Sequence, residues 1–358
     1  MALLKSTLQD FPEWIKTVHG FNDLLLDLKE IRPELSTAHT IINDIKGKQV
    51  VGYFERPTKI VKNDKGCSEE FTDFNLKGTQ KMWDPNSIEV AIEQCYTDLE
   101  GKFWHWSASN GIKRADLTQD DAINFITMLL QEGIADDVFR KVWFDNKDIT
   151  AEELTHKDKD VENYNTLNGF WNLIFEIMQN NPNQKADTGL TTANDQATYL
   201  EQKNKVLGRD VDGTIALKTF ESLAETVDNR IFNATPVIFC TDEIYKSYKR
   251  YFRDKSTDSA FNTTLNGLSR VAFDNIPIVP VHLWSRVINN DFMIEGKAFN
   301  PHRAIITTVE NLQIGFDNEN SIQDLEYEYE VKSKNVYMRS MAKIDAQISR
   351  DQLVTAAY

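Results

Sequence analysis

The string Arg209-Asp210-Val211-Asp212-Gly213-Thr214 sets two carboxylates two residues apart before a glycine. That spacing suits phosphoryl transfer, in which the first aspartate attacks phosphorus and the second works as acid and base. Such a loop should follow a buried hydrophobic strand, but Lys205-Val206-Leu207-Gly208-Arg209 precedes it, so a surface turn is the plainer reading. A calcium loop fails as well, because Gly213 falls early and no glutamate closes the loop. The histidines His19, His39, His105, His156, His282 and His302 stand far apart without ligand spacing. Cys67, Cys95 and Cys240 are too scattered for a disulfide framework or a zinc site. Glu326, Glu328 and Glu330 alternate with Leu325, Tyr327, Tyr329 and Val331, as on a half-buried strand with its acidic face in water. The cluster Phe103-Trp104-His105-Trp106 could stack a base or a sugar, but it fits better as core at a strand-to-helix junction. No phosphate loop, nucleophile elbow or dinucleotide fingerprint occurs. These residues offer no active site, no metal site and no cofactor site.

The whole chain fits that bland chemistry. Its 358 residues suit two or three subdomains, and 41% hydrophobic residues can build a sizeable core. Forty Lys and Arg against 55 Asp and Glu leave a net charge of −15, which argues against a general nucleic-acid binder. No apolar run approaches the ~18 residues of a membrane span, and the polar residues near Met1 argue against a signal peptide. A reducing cytoplasm is the expected place of synthesis.

Pattern supplies the elements. Residues 1–45 read as short helices, with an apolar stripe at Phe21, Leu24, Leu25 and Leu28 and a second helix through Ile41, Ile42 and Ile45. From Lys46 to Pro85, extended runs flank the turn Asn63-Asp64-Lys65-Gly66, and Thr72, Phe74 and Leu76 alternate with polar residues. This predicts a long projecting β-hairpin. Residues 116–144 predict a spine helix, with Thr118 and Asp121 at capping spacing and a stripe of Ile123, Ile126, Leu130, Ile134, Val138 and Val142. Residues 150–232 read as mostly helical. Thr235–Cys240 is a strand leading into a helix from Asp242, and Phe273–Val281 is a turn and strand. The last 60 residues are β-rich, with strands expected at Arg303–Thr308, Leu312–Phe316, Asp324–Val331 and Val336–Ala346.

Charge placement carries the sharpest functional signal. Residues 46–65 hold six basic residues against two acidic, a net +4, while residues 116–137 hold six acidic residues and no basic one. A basic hairpin and an acidic helix face on one chain suit contacts between copies. The expected pairing sets Arg56, Lys59, Lys62 and Lys65 against Asp120, Asp121, Glu132 and Asp136 of a neighbouring spine helix.

An arm, a projecting hairpin, a spine helix, a mixed middle and a β-rich end, in that order, resemble tailed-bacteriophage major capsid proteins of the Hong Kong-97-type fold, shared with encapsulins. Thr235–Cys240 entering a helix, then Phe273–Val279, is similar to the strand, helix and turn-strand of that family's axial domain. Arg303–Thr307 with Asn311–Asp317 is similar to its returning peripheral-domain strands. The resemblance implies an α+β capsid fold: an N-terminal arm at 1–45 and an extended loop at 46–90 lying across a neighbour. It implies a peripheral domain at 91–149 and 291–358 and an axial domain at 150–290. Asn275 stands where the family often has glycine. The N-terminal region is too short for the cleaved scaffolding segment of some members, so a scaffold, if used, is expected to be a separate protein.

The resemblance further implies a non-enzymatic shell of hexamers and pentamers, assembled in the host cytoplasm and found in the virion. It would enclose double-stranded DNA without sequence-specific binding. Its partners would be itself, a portal protein, and possible scaffold and decoration proteins, with no membrane. The alternatives are an encapsulin-type nanocompartment and, from another class, a phosphatase-like enzyme of the haloacid-dehalogenase kind using Asp210 and Asp212.

Overall fold

The computed structural model describes residues 39–51, 81–112, 119–156, 161–188, 198–207, 214–254, 263–265, 268–317, 326–330 and 335–358. In chain order the principal strands are β1 (Thr40–Ile42), β2 (Asn86–Cys95), β3 (Lys185–Ala186), β4 (Pro236–Cys240), β5 (Ala272–Phe273) and β6 (Ile276–Pro280). They continue with β7 (Ala304–Thr308), β8 (Leu312–Phe316), β9 (Glu326–Glu330), β10 (Asn335–Ile348) and β11 (Thr355–Ala357). The longer helices are α1 (Tyr96–Ser109), α2 (Gln119–Phe144), α3 (Phe170–Asn180) and α4 (Tyr199–Val206). They are followed by α5 (Thr214–Thr226), α6 (Asp242–Asp254) and α7 (His282–Asp291).

Strand β10, with 14 residues, is the keel of a five-stranded sheet. One edge pairs with β2 from Asn335↔Cys95 to Ile344↔Asn86. The other takes β9 against its first half and β8 against its second, and β1 joins β8 in parallel. Ala342, Ile344, Ala346 and Ile348 are buried at the period of two that a strand imposes. The second sheet has the order β3-β11-β7-β4-β6-β5. Its central strands read PVIFC, AIITT and IPIVP, the near-continuous apolar runs of strands covered on both faces. Strands β4 and β6 are parallel, so their connection must travel the length of the sheet, and α6 lies on that path. Asp274 and Asn275, at φ 47° and 66°, form the tight turn between β5 and β6. Short polar side chains tolerate that left-handed geometry, so asparagine serves at position 275.

The spine helix α2 runs for 26 residues, about 39 Å at 1.5 Å per residue. Ile134, Val138 and Val142 of the expected stripe are buried, together with Ala135, Phe139 and Trp143. Trp284 on α7 stands edge-on to Trp143 at 4.5 Å and to Trp171 of α3 at 4.8 Å. His39 stacks on Phe170 at 5.4 Å, so the start of the described chain is sewn into the same aromatic core. The Phe103–Trp106 cluster lies in α1, which follows β2 without an intervening residue. Phe103 and Trp106 each sit 5.5 Å from Phe125 of α2, a packing use that clasps two helices.

One expectation changes. Ile41 and Ile42 lie in strand β1, not in a helix: the β-branched run Thr-Ile-Ile pairs with Gln313–Gly315 at the edge of β8. Strands β7 and β11 pair in the sheet of β4, and α3 packs on the spine helix. The chain crosses between the sheets at Val309–Asn311 and again at Ser349–Val354, because every strand of one apolar run finds its cover where the other runs lie.

Candidate functional site

The expected projecting loop is held at its base. Val50 pairs with Met82 and Val51 with Lys81 in an antiparallel ladder, so the chain leaves and returns side by side. Residues 52–80 lie outside the described residues, and with them Arg56, Lys59, Lys62 and Lys65. Strand β2 begins at Asn86, inside the range assigned to the loop, so the stem closes earlier than position 90.

Packing fixes the stem to the five-stranded sheet. Ile45 (2% exposed), Val51 and Trp83 (3%) form a small cluster over Gly315 of β8. A Cβ there would stand 2.5 Å from Ile45 Cδ1 and 3.0 Å from a Trp83 ring carbon, so only glycine lets the stem settle this closely. Backbone bonds add to this: Ile45 N–H donates to Phe316 O at 3.0 Å and Trp83 N–H to Gln49 O at 2.8 Å.

Charge surrounds the same stem. Lys147 at 2.9 Å and Lys48 at 3.7 Å face the Asp84 carboxylate. The Lys147 ammonium holds the Asp84 carboxyl below the usual range. The backbone N–H of Asp84 donates to Asp345 Oδ2 at 2.7 Å. Burial pushes the Asp345 carboxyl up, and the N–H groups of Asp84 and Ala346 work against that push. Lys81 pairs with Asp351 and donates to Ile348 O at 2.7 Å. Exposed pairs of this kind contribute ~0–1 kcal/mol each, so they set direction more than stability. These residues come from positions 48, 81, 84, 147, 345 and 351, and no sequence spacing could have joined them. Gly315 inside an apolar strand was the one available signal.

On the spine helix, Asp120, Asp121 and Glu132 lie within α2. Asp136 already has a partner in its own chain, Arg286 Nη2 of α7 at 2.8 Å. Asp210 and Asp212 fall outside the described residues, and the preceding Tyr199–Val206 is a helix, where a nucleophile loop would need a strand. Among the described residues no three His, Cys, Asp or Glu side chains gather to hold a metal ion, and no helix is long and apolar enough to cross a membrane.

The buried charges are structural by their surroundings. Glu243 accepts from Ser285 Oγ at 3.0 Å and Tyr199 OH at 3.2 Å, with His302 Nδ1 at 3.8 Å. Burial alone would raise its carboxyl, but His302 and these donors outweigh it and hold the pKa at about 2. Asp145 is enclosed at the end of the spine helix with Lys141 Nζ at 3.4 Å, and burial raises its pKa to about 6.

One solved structure, the satellite phage P4 procapsid including its size determination (Sid) protein, matches 94% of this chain and 98% of its own, at 13% identity and a TM-score of 0.55. The fold is that of a tailed-phage capsid protein. The holo-SrpI encapsulin complex of Synechococcus elongatus PCC 7942 matches 91% of this chain and 86% of its own, at 9% identity and a TM-score of 0.47. Gordonia phage Cozz matches 90% and 85%, at 11% identity and a TM-score of 0.45. No family model and no curated protein matches the sequence.

Proposed function

We propose that this chain is the major capsid protein of a tailed bacteriophage. Copies assemble into the hexamers and pentamers of an icosahedral shell that encloses double-stranded DNA. The observation that carries this reading is the likeness of fold to the P4 procapsid chain over nearly the full length of both. The net charge of −15 supports a shell that contains DNA without gripping it. The stem fits a loop that reaches a neighbouring copy, with Arg56, Lys59, Lys62 and Lys65 meeting Asp120, Asp121 and Glu132 there. Asp136 contributes only if it shares or leaves Arg286. The shell acts without enzymatic chemistry. Its partners are further copies, a portal and any separate scaffold or decoration proteins, and its place is the virion after assembly in the host cytoplasm. Many repeated contacts, each weak, give such a shell its stability.

Size-exclusion chromatography and negative-stain microscopy of the expressed protein test this. Closed shells, or rings of five or six subunits, are the expected result. A protein that stays a 41.2 kDa monomer at every concentration, with and without a co-expressed scaffold, overturns it. Particle contents separate DNA packaging from an enclosed enzyme cargo.

A further inference from the structure

Two successive carboxylates open helix α6, and each meets a histidine from elsewhere in the chain. At the surface, His282 Nδ1 of α7 stands 2.6 Å from Asp242 Oδ1, with Lys246 Nζ 3.5 Å from the other oxygen. In the interior, Glu243 meets His302, which lies just before β7 and is buried. His302 Nδ1 is 3.8 Å from Glu243 Oε2, beyond hydrogen-bond length, and neither ring nitrogen has a hydrogen-bond partner among the described residues. A neutral imidazole in that place leaves one buried donor and one buried acceptor unmet. A protonated one presents a charged donor to a carboxylate instead.

The rest of the surroundings belong to the attachment of α4. Tyr199 OH donates to Glu243 Oε1 at 3.2 Å, and Lys203 Nζ stands 3.8 Å from the same oxygen. The Tyr199 ring stacks on His302 with 5.7 Å between centroids. From α7, Ser285 Oγ donates to Glu243 Oε2 at 3.0 Å. The ionisable groups facing the pair are therefore Tyr199 and Lys203 of α4, Asp242 of α6, and His282 of α7 through Asp242. Burial and the Glu243 charge push the Tyr199 phenol up, so it remains a donor. Glu243 stays ionised in neutral and mildly acidic solution, its pKa being held at about 2. Histidine is the side-chain type among these that ordinarily changes charge between about pH 5 and 8.

We propose that His302 and Glu243 form a proton-operated latch for α4. Uptake of a proton by His302 turns the 3.8 Å approach into a charge-assisted hydrogen bond, which fixes Glu243 and seats the imidazole against Tyr199. Loss of that proton leaves the Glu243 charge to Lys203 and the two hydroxyls, and α4 is held less firmly. The helix is sensitive to its docking because it has eight residues, fewer than the ~12–15 that persist alone in water. Its exchange with solvent therefore reports the latch, which works within a single copy.

Hydrogen exchange of the full-length protein, read by mass spectrometry at about pH 5.5 and about pH 8 and corrected for intrinsic rates, tests it. Amides of residues 199–206 should be about tenfold better protected at the lower pH, the factor set by one charge-assisted hydrogen bond. His302→Gln should remove that difference, while His282→Asn, which alters only the surface pair, should keep it. Asp145, whose protonation also favours the fold at low pH, is unchanged in His302→Gln, so comparison with the wild type isolates the latch. Glu243→Gln breaks the pair from the other side and must abolish the same difference, which decides the matter if His302→Gln does not fold. Equal protection at the two pH values in the wild type, a difference that survives in His302→Gln or Glu243→Gln, or one lost in His282→Asn each overturn the proposal.

Discussion

Gly315→Ala tests the seat of the Val50–Met82 ladder on β8 with a single methyl group. The new Cβ would stand 2.5 Å from Ile45 Cδ1 and 3.0 and 3.1 Å from two ring carbons of Trp83. Ile45 Cδ1 is the end of a side chain, but Ile45 is buried and Trp83 closes the other side, so neither has free space to retreat into. Overpacking of this kind costs ~1–3 kcal/mol. Replacing a strand glycine returns at most ~0.5–1 kcal/mol by narrowing the unfolded chain. The net expectation is a loss of about 1–2 kcal/mol, read as a lower midpoint in urea with an unchanged slope. Ile45→Val removes the very atom in the way, at ~0.5–1.5 kcal/mol on its own. Combined with Gly315→Ala it should cost less than the sum of the two, with a favourable coupling of ~0.5–1 kcal/mol. Limited proteolysis between residues 52 and 80 should speed up in Gly315→Ala and slow again in the pair. If Gly315→Ala is neutral or stabilising, or if the two changes simply add, the close seating of the stem on β8 is wrong.

Reversing Lys59, Lys62 and Lys65 to Glu should impair assembly while leaving the monomer's circular dichroism and melting unchanged. Normal particles from that variant would remove charge complementarity as the reason the loop finds its neighbour. Burial pushes the Asp145 pKa up to about 6 from its ordinary carboxylate value, so the folded state binds the extra proton and stability falls as pH rises through that window. Asp145→Asn should flatten the profile and gain up to ~3 kcal/mol at pH 7, less whatever Lys141 loses with its partner. A melting profile as steep as the wild type would show that Asp145 is not the group responsible. Glu243 behaves in the opposite sense: held at about 2, its charge stabilises the fold above pH ~4.5, and that contribution is lost as pH falls toward 2. Glu243→Gln should cost up to ~3 kcal/mol at pH 7 and converge on the wild type near pH 2; a constant gap at all pH values would mean the loss is packing, not charge.

Elements with a repeating apolar period were legible. The stripe Ile134-Val138-Val142 located the spine helix, and the runs at 236–240, 276–280 and 312–316 located strands within a residue or two. Such runs state that they are buried but not against what. AIITT at Ala304–Thr308, which pairs with β4, is equally apolar on both faces and carries no preference for either neighbour. The helix expected through Ile41, Ile42 and Ile45 failed for a related reason. Three apolar positions spanning five residues fit either period, and the open edge of β8 decided between them. The strands Lys185–Ala186 and Thr355–Ala357 were too short to show any period at all. Of the contact surface, the charge imbalance of the loop and the helix was plain in composition, but Arg286, the partner that Asp136 has within its own chain, lies 150 residues away and was invisible.

The two crossings at Val309–Asn311 and Ser349–Val354 also limit how the sheets can move against one another. If the sheets hinged against one another, the bend would involve Val309–Asn311 and Ser349–Val354, two short segments that pass directly from a strand of one to a strand of the other. Asn311 sits there, 2% exposed, and ties both crossings together. Its Nδ2 donates to Thr307 Oγ1 at 3.2 Å and Arg350 O at 3.0 Å, while its Oδ1 accepts from the Arg350 N–H at 2.7 Å. Thr307 Oγ1 in turn donates to Leu353 O at 2.9 Å, and the Ser349 N–H donates to Asn311 O at 3.0 Å. Opening a hinge would strand several buried donors and acceptors at once, each at ~1–3 kcal/mol. Bending at that point is therefore costly, and the two sheets should move as one body.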